Sequence, residues 1–312
     1  MTRATFTGNG AYCYANAPHM TFLTSGADMA AVPEPGFLEC ATAMPFGRVF
    51  HAADQPTFWP SAPSWSPERG LEHALTVLGW QCQTWYGGEP AEAVVRLREV
   101  LLLGPALIGP VDFGYLSYSP ASGRMAGADH YIMALAFHHH DEVLVHDPAG
   151  YPYAILPVAD LLAAWKAERI HYRQGSYTLR GCFRRERSVS RQDVIQRTLP
   201  LARALMRSKP IEPTSFGGAE ALRHLAEWLR TQVPAVLRNN LLGFSLPTAA
   251  RRAADAARFL EEGEQPEAAG LMEREAILWG KALSLAARDQ WAEVALAIDE
   301  LAAVEHELEC AL

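Results

Sequence analysis

Apolar and polar positions recur on two different periods along this chain, and the change of period divides it. Glu68–Leu78 carries apolar residues at helical spacing and is stopped by Gly79. Pro90–Val100 reads as a second helix, with proline at its first position and Ala93, Val94, Leu97 and Val100 on one face. Three strand-like runs follow, Leu103–Val111, His130–Phe137 and Glu142–His146. Tyr131 to Phe137 is apolar without interruption, as in a strand buried on both faces. The last two runs are joined by a tight turn through His138–Asp141, so they form a hairpin. A helix over Val158–Arg169 comes next, with room for an edge strand at Arg169–Tyr172.

After about residue 173 the period is helical throughout. Arg180–Ser188 reads as a basic connector. Gln192–Arg207, Gly218–Thr231, Pro247–Glu262, Glu267–Arg288 and Gln290–Leu308 then repeat apolar residues three and four apart. Between the N-terminal segment and residue 66 lies Val32–Ser66, which is interrupted by Pro33, Pro35, Pro45, Pro56, Pro60 and Pro63. It reads as loop with short pieces of structure, a length that is uncommon inside a domain unless it shapes a site. The expected fold is α+β: an N-terminal helix plus antiparallel sheet over residues 1–175, then a mostly helical domain over 176–312.

Composition narrows the function classes. A net charge of -8 argues against a nucleic-acid binder and suits a cationic substrate. Cys13, Cys40, Cys82, Cys182 and Cys310 are scattered, odd in number and without metal-ligand spacing, so neither a disulfide framework nor a zinc site is expected. The N-terminus lacks the pattern of a secretory signal, and Leu101–Val111, the most apolar stretch, is too short to span a bilayer. A cytosolic protein with reduced thiols and no membrane partner is expected. No phosphate-binding glycine loop follows a strand, and no cofactor is expected.

The candidate chemistry lies at three separated positions. Cys13 sits where the polar, Gly-rich Gly8–Ala11 runs into a helix, a place where unpaired N–H groups and the helix dipole favour a thiolate. An imidazolium neighbour would depress its pKa further. Pro18 falls within that helix and should kink it or delay its start. His130 stands at the mouth of a buried strand, and Asp147 ends the strand that returns beside it. Taken singly, these residues read as a buried cysteine, a capping histidine and a turn aspartate. Taken together, in this order, they form a nucleophile, a base and an orienting acid. Successive strand residues face opposite sides, so His138, His139 and His140 are not expected to converge on a metal ion.

Asp129-His130-Tyr131-Ile132-Met133 with Val145-His146-Asp147-Pro148 resembles the signature of C39-like cysteine peptidases. Cys13-Tyr14-Ala15-Asn16, the Pro/Gly-rich middle, the His/Asp hairpin and a helical tail opening at Phe216-Gly217-Gly218 resemble the butirosin biosynthesis protein H family. That resemblance implies a papain-like domain with a helical C-terminal extension. It also implies an acyltransferase that moves an aminoacyl group from an acyl carrier protein onto an aminoglycoside amine. It carries the nucleophile to Cys13, the base to His130 and the orienting acid to Asp147. The chain departs from the pattern at the oxyanion hole: the stretch before Cys13 has no glutamine and contains Phe6. Asn9 is the nearest amide side chain that could serve, beside the Cys13 backbone N–H. The same triad with water as acceptor would make a thioesterase or peptidase, and a non-catalytic binding protein on this scaffold is the third reading.

Overall fold

A computed structural model describes residues 4–8, 12–26 and 32–312. In chain order its elements begin with α1 (Cys13–Thr24), α2 (Pro35–Ala41), β1 (Val49–His51), β2 (Thr57–Trp59), α3 (Pro67–Leu78) and β3 (Trp80–Trp85). They continue with α4 (Pro90–Leu103), β4 (Ala106–Asp112), β5 (Asp129–His139), β6 (Glu142–Asp147), β7 (Tyr151–Pro157), α5 (Val158–Trp165) and β8 (Leu179–Arg185). Next are α6 (Arg191–Met206), β9 (Ser215–Gly217), α7 (Gly218–Thr231) and α8 (Ala235–Asn240). The chain closes with α9 (Leu246–Glu262), α10 (Pro266–Ala286) and α11 (Trp291–Ala311). The fold is α+β, with antiparallel sheets and then a mostly helical C-terminal region.

The chain forms two compact units, but not the consecutive halves expected from a boundary near residue 175. One comprises residues up to Leu38 together with Gly79–Ser188; the other comprises Glu39–Leu78 and Val189–Leu312. The first unit holds a six-stranded sheet in the order β3-β8-β4-β5-β6-β7, antiparallel at every pairing. Strand alternation sorts its side chains. Ile132 and Ala134 enter a core with Ala93, Leu97 and Val100 of α4 and Leu161, Ala164 and Trp165 of α5. Tyr131, between them, meets Tyr14 of α1 edge-on, ring centroids 6.0 Å apart.

Arg180–Ser188 is not a connector over its first part. Leu179–Arg185 is β8, paired with both β3 and β4. Arg184 and Arg185 at its end are exposed, while Arg180 is buried and donates to the Gly109 carbonyl at 3.2 Å. Arg169–Tyr172 forms no strand. At Gly109 an added Cβ would stand 2.3 Å from the buried Tyr131 ring, so glycine is what lets β4 approach β5 at that point.

In the second unit α7, α9, α10 and α11 stack through amphipathic faces, such as Leu222, Leu225, Ala226 and Leu229 of α7. A three-stranded antiparallel sheet, β2-β1-β9, joins them. Buried charges tie the Glu39–Leu78 segment to these helices. Arg48 contacts Glu275 at 2.6 Å and Glu305 at 3.7 Å, and Arg252 contacts Glu39 at 2.8 Å. Burial and the neighbouring Glu275 charge push the Glu305 carboxyl well above the usual range against the pull of Arg48. Within Val32–Ser66 the short pieces of structure expected are α2, β1 and β2. Among the described residues no helix is long and apolar enough to cross a membrane.

Candidate active site

α1 begins at Cys13. Tyr12, the residue before it, takes a left-handed conformation (φ 60°) and no described side chain caps this helix end. The Tyr12 carbonyl accepts from Ala15 N–H at 2.9 Å, Asn16 N–H at 2.8 Å and Asn16 Nδ2 at 3.0 Å, which fixes the entry of the chain into the helix. The positive end of the helix therefore falls at Cys13. Pro18 neither kinks the start nor delays it. It lies in the second turn, and the helix continues through it to Thr24.

His130 is the second residue of β5, opposite Val111 of β4, and is buried with Phe113 edge-on at 4.7 Å. The hairpin pairs Met133 with His146. One step along that register, Asp147 faces position 132, and position 130 is its diagonal neighbour on the same face. The two side chains accordingly meet: His130 Nε2 lies 2.6 Å from Asp147 Oδ1. Asp147 is fully buried and its other interactions hold it still. Ala149 N–H donates to Oδ1 at 2.6 Å and the Tyr118 hydroxyl donates to Oδ2 at 2.8 Å.

With Nε2 engaged by Asp147, the ring turns Nδ1 to Cys13, whose sulfur is hydrogen-bonded to His130 and to the Tyr131 backbone N–H. The structure thus brings Cys13, His130 and Asp147 together in one chain of hydrogen bonds. Tyr118 and Tyr131 complete the arrangement, and neither was singled out for it in the sequence. Tyr118 lies in irregular chain 29 residues before Asp147, with no local pattern linking them.

The electrostatics differ from expectation in one respect. Burial pushes the Cys13 thiol above its ordinary value, outweighing the charge and hydrogen bond of His130 and the Tyr131 N–H, and the Asp129 charge pushes the same way. The thiol is raised, not depressed. Burial alone would lower His130, but the buried Asp147 carboxylate, with help from Cys13, lifts it to about 10. Burial opposes ionisation of Asp147 as well, yet the His130 charge and the hydrogen bonds from His130, Ala149 and Tyr118 hold it below its usual value. The resting proton therefore sits on the His130 ring, between two acceptors.

Phe6 packs edge-on against His146, ring centroids 5.3 Å apart. Asn9, the amide considered as an oxyanion donor, lies outside the described residues. At the far end of the hairpin the argument from strand alternation does not hold. A bulge between Phe137 and His139 brings the His138 and His139 rings to 4.3 Å, and with Glu142 their donor atoms lie within 4.8 Å of one another. His138 and His139 are exposed, Glu142 is half-buried, and all three belong to the hairpin tip.

Residues 212–312 match the YobF C-terminal domain. Over 302 residues the chain is 24% identical to an uncharacterized protein YobF of Bacillus subtilis strain 168, an alignment that covers 96% of this chain and 95% of that protein.

Proposed function

We propose that this chain is a cysteine-dependent acyltransferase of natural-product biosynthesis, acting in the cytoplasm. It takes an acyl or aminoacyl group from a carrier-protein thioester, holds it on Cys13 and delivers it to an amine. The observation that carries this reading is the Cys13–His130–Asp147 chain, with its sulfur at an uncapped helix start.

The transfer runs in two steps from the minor form in which Cys13 has given its proton to solvent while His130 keeps its own. The Cys13 thiolate attacks the thioester carbonyl, and the Cys13 backbone N–H serves as donor to the developing oxyanion. The carrier thiolate departs with the His130 proton, which leaves a neutral imidazole beside acyl-Cys13. That imidazole then accepts the proton of an attacking amine as the Cys13 thiolate leaves, which restores the starting state. Asp147 keeps the ring oriented through both steps and stabilises its charged form. Thioester exchange is nearly isoenergetic, so formation of the amide supplies the downhill step.

Incubation with an aminoacyl carrier thioester, with and without candidate amines, followed by intact-protein mass spectrometry, tests the proposal. A long-lived adduct that discharges on addition of amine supports transfer. Rapid release of free acid without amine replaces it with a thioesterase, and no adduct or turnover with any donor replaces it with a binding protein.

A further inference from the structure

The β5–β6 hairpin carries His130 and Asp147 at one end and gathers three metal-ligating side chains at the other. The register shows how. Phe137 pairs with Val143 and His139 with Glu142, so β5 has one residue more than β6 over this stretch, and that residue is His138. His138 and His139 together stand against Glu142, and the extra residue cancels the alternation that would send neighbours to opposite faces. The imidazole rings lie 4.3 Å apart, and one nitrogen from each falls, with a Glu142 carboxylate oxygen, in a group no wider than 4.8 Å. Among the described residues none of these three side chains has a hydrogen-bond or ion-pair partner, so their ligand atoms are not otherwise engaged. The backbone beneath them is anchored on both sides of the turn. Arg98 of α4 lays its guanidinium over the Phe137 ring at 3.6 Å and donates to the His140 carbonyl, and Val158 N–H donates to the Asp141 carbonyl at 2.8 Å.

Two imidazoles and a carboxylate make a ligand set for late first-row divalent ions, whereas Mg2+ and Ca2+ take oxygen ligands. A tetrahedral ion about 2.0–2.2 Å from each donor needs those donors about 3.4 Å apart. Rotation of the exposed imidazole side chains closes the difference without moving the anchored backbone. We infer that His138, His139 and Glu142 bind a divalent transition-metal ion of the Zn2+ class, which fastens β5 to β6 across their two-residue turn. The site lies about 30 Å along β5 from His130, so the ion takes no part in chemistry at Cys13. The inference stands on the hairpin alone and does not depend on the acyl-transfer reading.

The test titrates the full chain with Zn2+ at pH 7.5 against a chromophoric chelator, and locates the site by the amide resonances that paramagnetic Ni2+ broadens first. A far-UV circular dichroism spectrum like that of wild type establishes that each variant is folded. His138→Ala and His139→Ala should each weaken Zn2+ binding by at least about tenfold, since loss of a mere second-shell partner already costs about 10–100-fold. Glu142→Gln should weaken it as well. His140→Ala, in the turn but outside the ligand set, should bind as wild type does. Ni2+ should broaden the amides of residues 138–143 first, and Zn2+ should raise the denaturation midpoint of wild type but not of the His138→Ala/His139→Ala double variant. Zn2+ affinity unchanged in the double variant, or broadening that begins near a cysteine, overturns the site by placing the ion elsewhere. A loss in His140→Ala as large as in His139→Ala overturns the assigned ligands, because the bulge would then select nothing.

Discussion

Asp147→Asn removes the charge that does most to hold His130 protonated and leaves the side-chain shape nearly intact. In the wild type the ring is lifted from 6.5 to about 10. At ~1.36 kcal/mol per pKa unit this amounts to roughly 5 kcal/mol favouring the imidazolium, net of the burial that opposes it. A group whose folded pKa is raised contributes its full stability below its unfolded value and loses it as pH rises through the folded value. The His130 contribution is therefore roughly 4 kcal/mol near pH 7 and roughly 1 kcal/mol near pH 9. In Asp147→Asn the burial that opposes the charged ring is no longer offset, so His130 should titrate at or below 6.5. The measurement is the Cε1–H resonance of His130 followed against pH by NMR in both proteins, assigned by its loss in His130→Gln. Denaturation midpoints near pH 7 and pH 9 accompany it, and the stability gap between wild type and variant should narrow as pH rises. A wild-type His130 that titrates near 6.5, or a midpoint unmoved by Asp147→Asn, would refute the reasoning.

Three further outcomes follow from the same structure. Because burial raises the Cys13 thiol, its alkylation by iodoacetamide should keep increasing as pH rises through 9, with no inflection near 6.5; a plateau already reached at neutral pH would show a depressed thiol instead. Arg48→Met strands Glu275 and Glu305 in the interior of the helical unit and should cost about 3–5 kcal/mol, read as a shift in denaturation midpoint, whereas a loss below about 1 kcal/mol would mean the charges are not buried as described. Gly109→Ala places a methyl 2.3 Å from the Tyr131 ring, which should cost about 1–3 kcal/mol and slow Cys13 alkylation by shifting the Tyr131 N–H from the sulfur; wild-type stability and reactivity would contradict this.

The parts of this molecule that the sequence makes legible are those governed by local pattern. α7 runs over Gly218–Thr231 as its period implies, because one continuous apolar stripe specifies it. Cys13, His130 and Asp147 are legible because each stands at the end of a regular element, where a side chain can reach a site. What was missed depends on partners far away in sequence. β8 hides behind a run of arginines, since nothing local indicates that Arg180 turns inward to Gly109 while Arg184 and Arg185 turn out. β1, β2 and β9, three residues each, are too short to show any period. The placement of Glu39–Leu78 with the later helices rests on ion pairs spanning 213 and 227 residues, whose members read locally as solvated charges. The thiol pKa was misjudged for a related reason: helix end and imidazolium are visible in the sequence, whereas the burial that outweighs them is created only by the fold.

The central claim is that Cys13 carries the acyl group. It is tested most directly by mixing wild type, Cys13→Ala and His130→Gln with an acylated carrier protein, quenching in acid and mapping the acyl mass by peptide. The account predicts one acyl group on the peptide containing Cys13 in wild type, none in Cys13→Ala and a much slower gain in His130→Gln. Acylation of Cys40, Cys82, Cys182 or Cys310 in its place, or an adduct that persists in Cys13→Ala, would contradict it.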